Sequence, residues 1–393
     1  MPPRIFILSL ATFAAATQTY AFVGVLEDVA ADLGVSVAAA GQLSSAFAII
    51  FALSAPVSAS FAAGLERRSL LVGALTIVAA LNLVTAWAPN FEALIGLRVA
   101  TALASTLVAP VALSAAAVLA PPEARGRALA MVLAGLVFAF TLGIPGGTAI
   151  GGAFGWRACF LFAGGLAAVA AGAIAAVLPR VESRERPGLG NLAAALQPRT
   201  AALLAVTVGS FLGLFTVVAY VGPMVTRVTG FEGAAIGAVQ MFVGFGAILG
   251  IVLGGRAADA ASPRKALLNC LSVSALSLLA YSGLMQSDET LTEIGRVMLL
   301  MATTTFGAAS LFALGPIVQS QLIASAPSNQ NVVLALNGSM TFLGQGLGAA
   351  AGGLVIAQAG LEWIGVAGGA LSVLTALIAA RLKRVPEPSP VSA

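Results

Sequence analysis

The stretch Met131-Val-Leu-Ala-Gly135-Leu-Val-Phe-Ala-Phe140-Thr-Leu-Gly143-Ile-Pro145-Gly-Gly147-Thr-Ala-Ile-Gly151 decides how this chain folds. No charged residue lies between Arg127 and Arg157, and about 20 apolar residues in a helix cross the roughly 30 Å hydrocarbon core of a bilayer. Polar and apolar side chains do not alternate along it, which excludes a membrane-barrel strand of about ten residues. Gly143, Gly147 and Gly151 recur every four residues and form a flat stripe that another helix backbone can approach closely. Pro145 interrupts the backbone hydrogen-bond ladder and bends the helix.

The rest of the chain follows the same pattern. Of 393 residues, 59% are hydrophobic and 9% charged, against roughly 25% charged in a soluble domain. A soluble enzyme and a disordered chain are both excluded. The absence of His removes His-based zinc sites and Ser–His or Cys–His relays. Charge clusters and Pro/Gly breaks delimit twelve apolar stretches, numbered spans 1 to 12: 5–26, 38–62, 69–88, 93–119, 127–150, 156–178, 202–225, 234–256, 265–285, 294–322, 332–358 and 362–382. The first is full length and lacks a strongly basic start, so a cleaved signal peptide is not expected. The expected fold is an all-α integral membrane protein.

Charge placement gives orientation. With the N-terminus in the cytoplasm, all of the 19 Lys and Arg except Arg98, Arg157, Arg227 and Arg296 fall in cytoplasmic segments. Both termini are therefore expected in the cytoplasm, in a multi-pass, bacterial-type inner membrane. The basic residues read as topology signals, and no nucleic-acid partner is expected. Cys159 and Cys270 read as small apolar fillers.

A polar connection near the midpoint separates six spans from six. The expected organisation is a six-helix bundle at 1–178, a cytoplasmic linker at 179–200, a second bundle at 201–384 and a cytoplasmic tail at 385–393. Internal matches support a duplication: Ile95-Gly-Leu-Arg98 with Ile294-Gly-Arg296, Arg67-Arg68 with Arg264-Lys265, and the Gly143, Gly147, Gly151 stripe with Gly344, Gly348 and Gly352. Each pair is about 200 residues apart. Two pseudo-symmetric bundles with a site at their interface suit alternating access.

Three segments carry a resemblance to a known family. Ala31-Asp-Leu-Gly-Val-Ser36 with Ala40-Gly-Gln-Leu43 is similar to its first outer loop and the start of helix 2. Pro121-Pro-Glu-Ala-Arg-Gly-Arg127 is similar to its loop between helices 4 and 5. Gly143-Ile-Pro145-Gly-Gly147, with Gly151 and Gly155-Trp-Arg157, resembles its helix 5 antiporter motif. The family is the twelve-helix drug–proton antiporter branch of the major facilitator superfamily, in particular its sugar-efflux, arabinose-efflux-permease-like and chloramphenicol-exporter-like members. The resemblance implies a major facilitator fold and export of a small organic solute, drug-like or a sugar, by proton antiport. It implies no enzyme activity, no cofactor and no metal, and a monomer is expected in the bilayer. An uptake symporter and an uncoupled facilitator are the alternatives. A non-transporting receptor is expected to add a soluble domain, and a channel to show charged rings or a repeated filter.

Gly255-Arg-Ala-Ala-Asp259, followed by Arg264-Lys265, resembles the superfamily's cytoplasmic gating signature, which makes Asp259 and Arg264 gate residues. After span 2, Ala59 and Ala63 stand where the family has Gly and Asp, leaving Glu66-Arg67-Arg68 to pair differently. Gly143, Pro145, Gly147 and Gly151 are expected to form a rocking surface between the halves.

Polar side chains within spans are costly without a partner or water, so they nominate a cavity. The expected substrate-binding set is Gln18, Thr19 and Tyr20 of span 1, Thr101 of span 4, Tyr220 of span 7, and Asn337, Thr341 and Gln345 of span 11. Hydrogen bonds between helices explain the amides and phenols equally well. Arg98 lies roughly 7 Å along span 4 and resembles the arginine of the superfamily's helix 4 motif; coupling or pairing in the cavity and interfacial anchoring are both open to it. No acidic residue or Lys sits near the middle of a span, although proton-coupled carriers commonly use a buried carboxylate. Related exporters often carry Glu where Thr19 stands. Proton coupling is therefore expected through Glu27 or Asp28, with Arg98 as the nearest basic partner.

Overall fold

A computed structural model describes residues 3–62, 64–182, 197–258, 262–287 and 291–382. The chain is all-α, with 12 helical segments long and apolar enough to span a membrane: Arg4–Asp32, Val37–Ser58, Arg67–Thr85, Phe91–Leu119, Pro122–Phe154, Arg157–Val177, Pro198–Val218, Ala234–Ala258, Pro263–Gln286, Glu293–Ser325, Val332–Ala359 and Leu361–Ala380. These are spans 1 to 12 in the expected order. The expected tail, 385–393, and most of the linker lie outside the described residues.

Several spans are broken, for identifiable reasons. In span 4 the helix pauses between Ser105 and Val108, where Pro110 supplies no N–H for the carbonyl of Thr106. Span 5 widens into a π-helical turn over Ala139–Gly143, with the Ile144 N–H reaching back to the carbonyl of Ala139, just ahead of Pro145. Span 7 was expected to run unbroken to 225; its helix instead stops at Val218 and restarts as Val221–Thr229. Pro223 accounts for this, because it removes the donor that would hold the carbonyl of Ala219. Span 1 stops at Tyr20 and resumes through a 3-10 turn at Val23–Val25 into Leu26–Asp32. It has no proline there, and its break is held from outside by Arg98.

An even number of spans puts both ends of the chain on one face, termed the near side. Trp87, Trp156 and Trp363 all stand at far-side ends of spans, and Trp87 and Trp363 are exposed, as membrane-interface anchors are. The buried apolar residues divide unequally. On the far side a single cluster runs through both halves, from Tyr20–Ala30 of span 1 to Leu214–Val228 of span 7 and Ile364 of span 12. On the near side the first half has its own cluster, including Leu8, Leu71 and Ala112, and the second half another, including Leu203, Leu271 and Ile317. The halves are joined on the far side and part on the near side.

The glycine stripes fix packing inside each half. A Cβ on Gly143 would fall 2.0 Å from Thr17 Oγ1, and one on Gly147 would fall 2.6 Å from the Ala21 Cβ. Gly151 similarly admits Val25 of span 1 and Cys159 of span 6. The stripe therefore seats span 5 on span 1, which corrects the expectation that it lies between the halves. Gly344, Gly348 and Gly352 of span 11 abut the carbonyls of Val208, Leu212 and Thr216 of span 7, the same arrangement one repeat later.

The near-side loop after span 2 is pinned to its own half. Glu66 caps span 3, accepting from the N–H groups of Arg68, Ser69 and Val181 and from the Ser69 hydroxyl. Arg67 donates to the carbonyl of Glu182, and Arg68 to that of Ala175. Desolvation alone raises the Glu66 pKa, but these hydrogen bonds outweigh it and hold the carboxyl at about 2, down from 4.5. A depressed carboxylate stabilises the fold above its unfolded pKa and ceases to do so as pH falls through the folded one. Glu66→Gln is expected to lower the thermal midpoint at pH 7, with the gap to wild type closing from about pH 5 downward. A gap that widens on acidification would contradict this.

Candidate functional site

Between the halves lies a central cavity of about 260 Å³. Spans 1, 2, 4, 5, 7, 8, 9, 10 and 11 all contribute to it. Its walls are mostly aromatic and aliphatic: Phe51, Phe140, Phe211, Phe215, Phe312 and Phe342, with Leu133, Leu136, Leu214 and Leu311. Phe51 and Phe342 stack across the halves with centroids 3.8 Å apart, and Tyr20 leans on Phe140 and Phe215. The polar lining is Thr12, Thr19, Tyr20, Ser105, Tyr281, Thr304, Thr341 and Gln345. None of the lining residues is charged.

Of the expected binding residues, Thr19, Tyr20, Thr341 and Gln345 reach this cavity. Tyr20 donates its hydroxyl to Gln345 Oε1, a bond from one half to the other that roofs the cavity on its far side. The other four are corrected because none lines the cavity and each is hydrogen-bonded to a neighbouring group. Gln18 donates to Ser105 Oγ at 3.0 Å. Thr101 bonds the carbonyl of Leu97 in its own helix at 2.7 Å, as intramembrane hydroxyls commonly do. Asn337 accepts from Thr207 at 2.7 Å, between spans 11 and 7. Tyr220 fills a notch where Gly41, Gly352 and Gly353 have no side chains, and donates to the carbonyl of Ala349 at 2.9 Å. It seals the far side instead of facing the cavity.

The roof depends on Arg98, which is 1% exposed. A helix that stops inside a membrane leaves its last carbonyls without donors. Arg98 supplies them: Nη1 donates to Gln18 O at 3.1 Å and Nη2 to Thr19 O at 2.8 Å. Its guanidinium lies 5.0 Å from the Phe22 ring centroid and 4.5 Å from that of Phe47. A cation at the negative end of a helix dipole is favourably placed. Interfacial anchoring is thereby excluded for Arg98, and so is its pairing with Glu27 or Asp28. Both carboxylates are exposed at the far end of span 1. Arg296, the repeat equivalent of Arg98, lines a far-side surface pocket instead.

Several helix pairs make the seam between halves, and two of them show its character. Spans 2 and 11 meet where Ser45 donates to the carbonyl of Gly346 at 2.8 Å. Spans 5 and 8 meet where Gly152 touches Gly233 and where the carbonyl of Pro145 abuts Gly237. Pro145 thus lies at the seam even though the neighbouring glycine stripe does not. Arg264 is exposed at the near-side start of span 9, and Asp259 lies outside the described residues.

Sequence reasoning missed Gln240 and the phenylalanine cage. Among 20 Phe in a chain this apolar, nothing in the spacing separates those facing a cavity from those facing lipid. Gln240 carried a readable signal, being an amide inside a span.

A twelve-span bundle whose two related halves enclose a central cavity is the architecture of a secondary transporter. The family model described as Major Facilitator Superfamily matches residues 8–220 and again residues 203–393. The chain belongs to the Major Facilitator Superfamily, and it is a transporter moving a small solute, not an enzyme. It is 34% identical over 266 residues to a chloramphenicol resistance protein of Streptomyces lividans, covering 66% of this chain and 67% of that protein. It is 29% identical to the inner membrane transport protein YdhP of Escherichia coli K12, over 94% of this chain and 93% of that one. In fold it is similar to a bacterial homologue of the human lysosomal transporter Spinster in an inward-facing, occupied conformation, with a TM-score of 0.76, 17% identity and 96% of each chain covered.

Proposed function

We propose that this protein exports a small, neutral, largely apolar organic compound by alternating access, from a bacterial inner membrane in which it works as a monomer with both termini in the cytoplasm. The observation that carries the reading is the central cavity: aromatic walls, a few hydroxyls and one amide, and no charge. Such a lining suits a drug-like solute better than a sugar, whose many hydroxyls would each lack a partner there. Thr19, Tyr20, Thr341 and Gln345 are the proposed polar contacts. The similarity to a chloramphenicol resistance protein supports the same class. Residues 1–178 and 201–384 act as the two rocking bodies, joined by 179–200.

With the termini cytoplasmic, the near side is inside and the cavity is loaded from the cytoplasm. Rocking would part the far-side seam and join the near-side clusters, releasing solute outward. Gly143, Gly147 and Gly151 serve this motion by holding spans 1 and 5 as one unit, while Pro145 meets the opposing half. Asp259 and Arg264 are proposed to latch the cytoplasmic face. Antiport would use Glu27, exposed at the far-side end of span 1, with Asp28 beside it. The uncharged lining favours a second reading, an uncoupled facilitator.

Both readings are tested in proteoliposomes with phenicols, dyes, nucleosides and sugars at two internal pH values. Phenicols or dyes are expected to be transported and sugars not. Glu27→Gln/Asp28→Asn is expected to abolish the pH dependence; a pH response equal to wild type in that double variant would remove both carboxylates from coupling, and transport by wild type without any pH response would leave the facilitator.

A further inference from the structure

Gln240 is an amide in the far-side part of span 8, 3% exposed. Its Oε1 accepts from Thr148 Oγ1 at 2.7 Å, a bond from span 5 to span 8 across the seam. Its Nε2 has no hydrogen-bond partner. A buried amide donor is costly to leave unpaired, and native structures rarely do so without a reason.

The same side chain lines a small pocket of about 50 Å³. This pocket shares Tyr20, Phe140, Val218, Val243, Tyr281 and Thr304 with the central cavity, so the two adjoin across these side chains. Its other hydroxyl donors are already spent: Tyr281 donates to Thr304 at 3.2 Å, Thr304 to the carbonyl of Leu300 at 2.8 Å, and Tyr20 to Gln345. Gln240 Nε2 is the one unspent donor among these groups, and the remaining walls are apolar. A trapped water needs about two to four polar partners; besides Gln240 only the hydroxyl oxygens of Tyr20, Tyr281 and Thr304 offer any, and the rest of the wall is apolar. An acceptor atom carried on an apolar body suits it better.

We infer that this pocket is the polar end of the substrate site, where Gln240 donates from Nε2 to a hydrogen-bond acceptor of the solute: a carbonyl, nitro or ether oxygen. The apolar body of the solute fills the phenylalanine cage below. The inference rests on the proposed reading of the cavity as the transport site and adds the chemical group that it selects. Thr148 holds the other end of the amide only while the halves meet on the far side. The donor is therefore aligned in the state that faces the near side and loses its alignment when the seam parts, which weakens the solute's hold in the releasing state.

The test uses the full chain in nanodiscs, immobilised, with empty nanodiscs subtracted. Retention of acetophenone is compared with that of ethylbenzene, a near-isosteric arene without the acceptor. Wild type is expected to favour acetophenone by about tenfold, the usual worth of satisfying a buried donor. Gln240→Leu is expected to bring the ratio close to one while ethylbenzene binding persists. The near-isosteric Gln240→Met, which keeps the length of the side chain but carries no donor, should do the same and guards against misfolding of the leucine variant. Equal retention of both arenes by wild type, or an unchanged ratio in folded Gln240→Met, overturns the inference and leaves the cavity reading standing. Retention of neither arene overturns both.

Discussion

Arg98→Ala is expected to lower the thermal midpoint of the purified protein by about 10 °C. The guanidinium satisfies two buried carbonyls at the break in span 1, and each one left unpaired costs about 1–3 kcal/mol. A change of 1 kcal/mol moves the midpoint of a unit the size of one half by about 2–4 °C. Arg98→Lys is expected to recover less than half of the loss, because an ammonium cannot reach two carbonyls in a plane while lying flat between Phe22 and Phe47. Differential scanning fluorimetry in detergent measures both. An alanine variant as stable as wild type would remove Arg98 from the role of helix cap.

The second large effect separates two kinds of glycine. Gly237 and Gly346 lie on the seam: an added Cβ would sit 2.7 Å from the carbonyl of Pro145 in the first case and 2.6 Å from Ile49 in the second. Leucine at either position wedges the halves apart on the far side. Transport is expected to fall at least tenfold on the scale of ordinary population shifts, with the thermal midpoint nearly unchanged. Labelling of a cysteine at Leu133, in a background lacking Cys159 and Cys270, is expected to fall as the near side closes. Gly147 and Gly348 pack within a half, against Ala21 and against Leu212. Leucine there is expected to lower stability first, as overpacking does. Seam variants that transport and label like wild type would contradict the placement of the seam.

The spans were readable because hydrocarbon thickness is a ruler that composition alone can satisfy. The repeat was readable too, since the same glycine spacing serves the same helix contact in each half. What the spacing could not give was the partner. A glycine stripe announces a close approach without saying to which helix, so the stripe of span 5 was placed at the seam when it belongs to the inside of a half. The polar residues show the same gap. Gln18, Thr101, Asn337 and Tyr220 are as polar as Thr19 and Gln345, but their hydrogen bonds close on adjacent backbone or side chains. Only the three-dimensional packing decides which amide faces open space. The proline breaks were legible in principle, Pro223 above all, whereas the break in span 1 depends on an arginine that arrives from another span.

That last difference has a mechanical outcome. Spans 1 and 7 occupy equivalent places in the two halves and break at equivalent tyrosines, Tyr20 and Tyr220. The first break is clamped by a cation between two rings, while the arginine that should clamp the second lies out at the far-side surface. The duplicated halves are therefore unequal as levers: one elbow is set by a cation that arrives from another span, the other by its own tyrosine ring, buried in a notch of glycines and bonded to the carbonyl of Ala349.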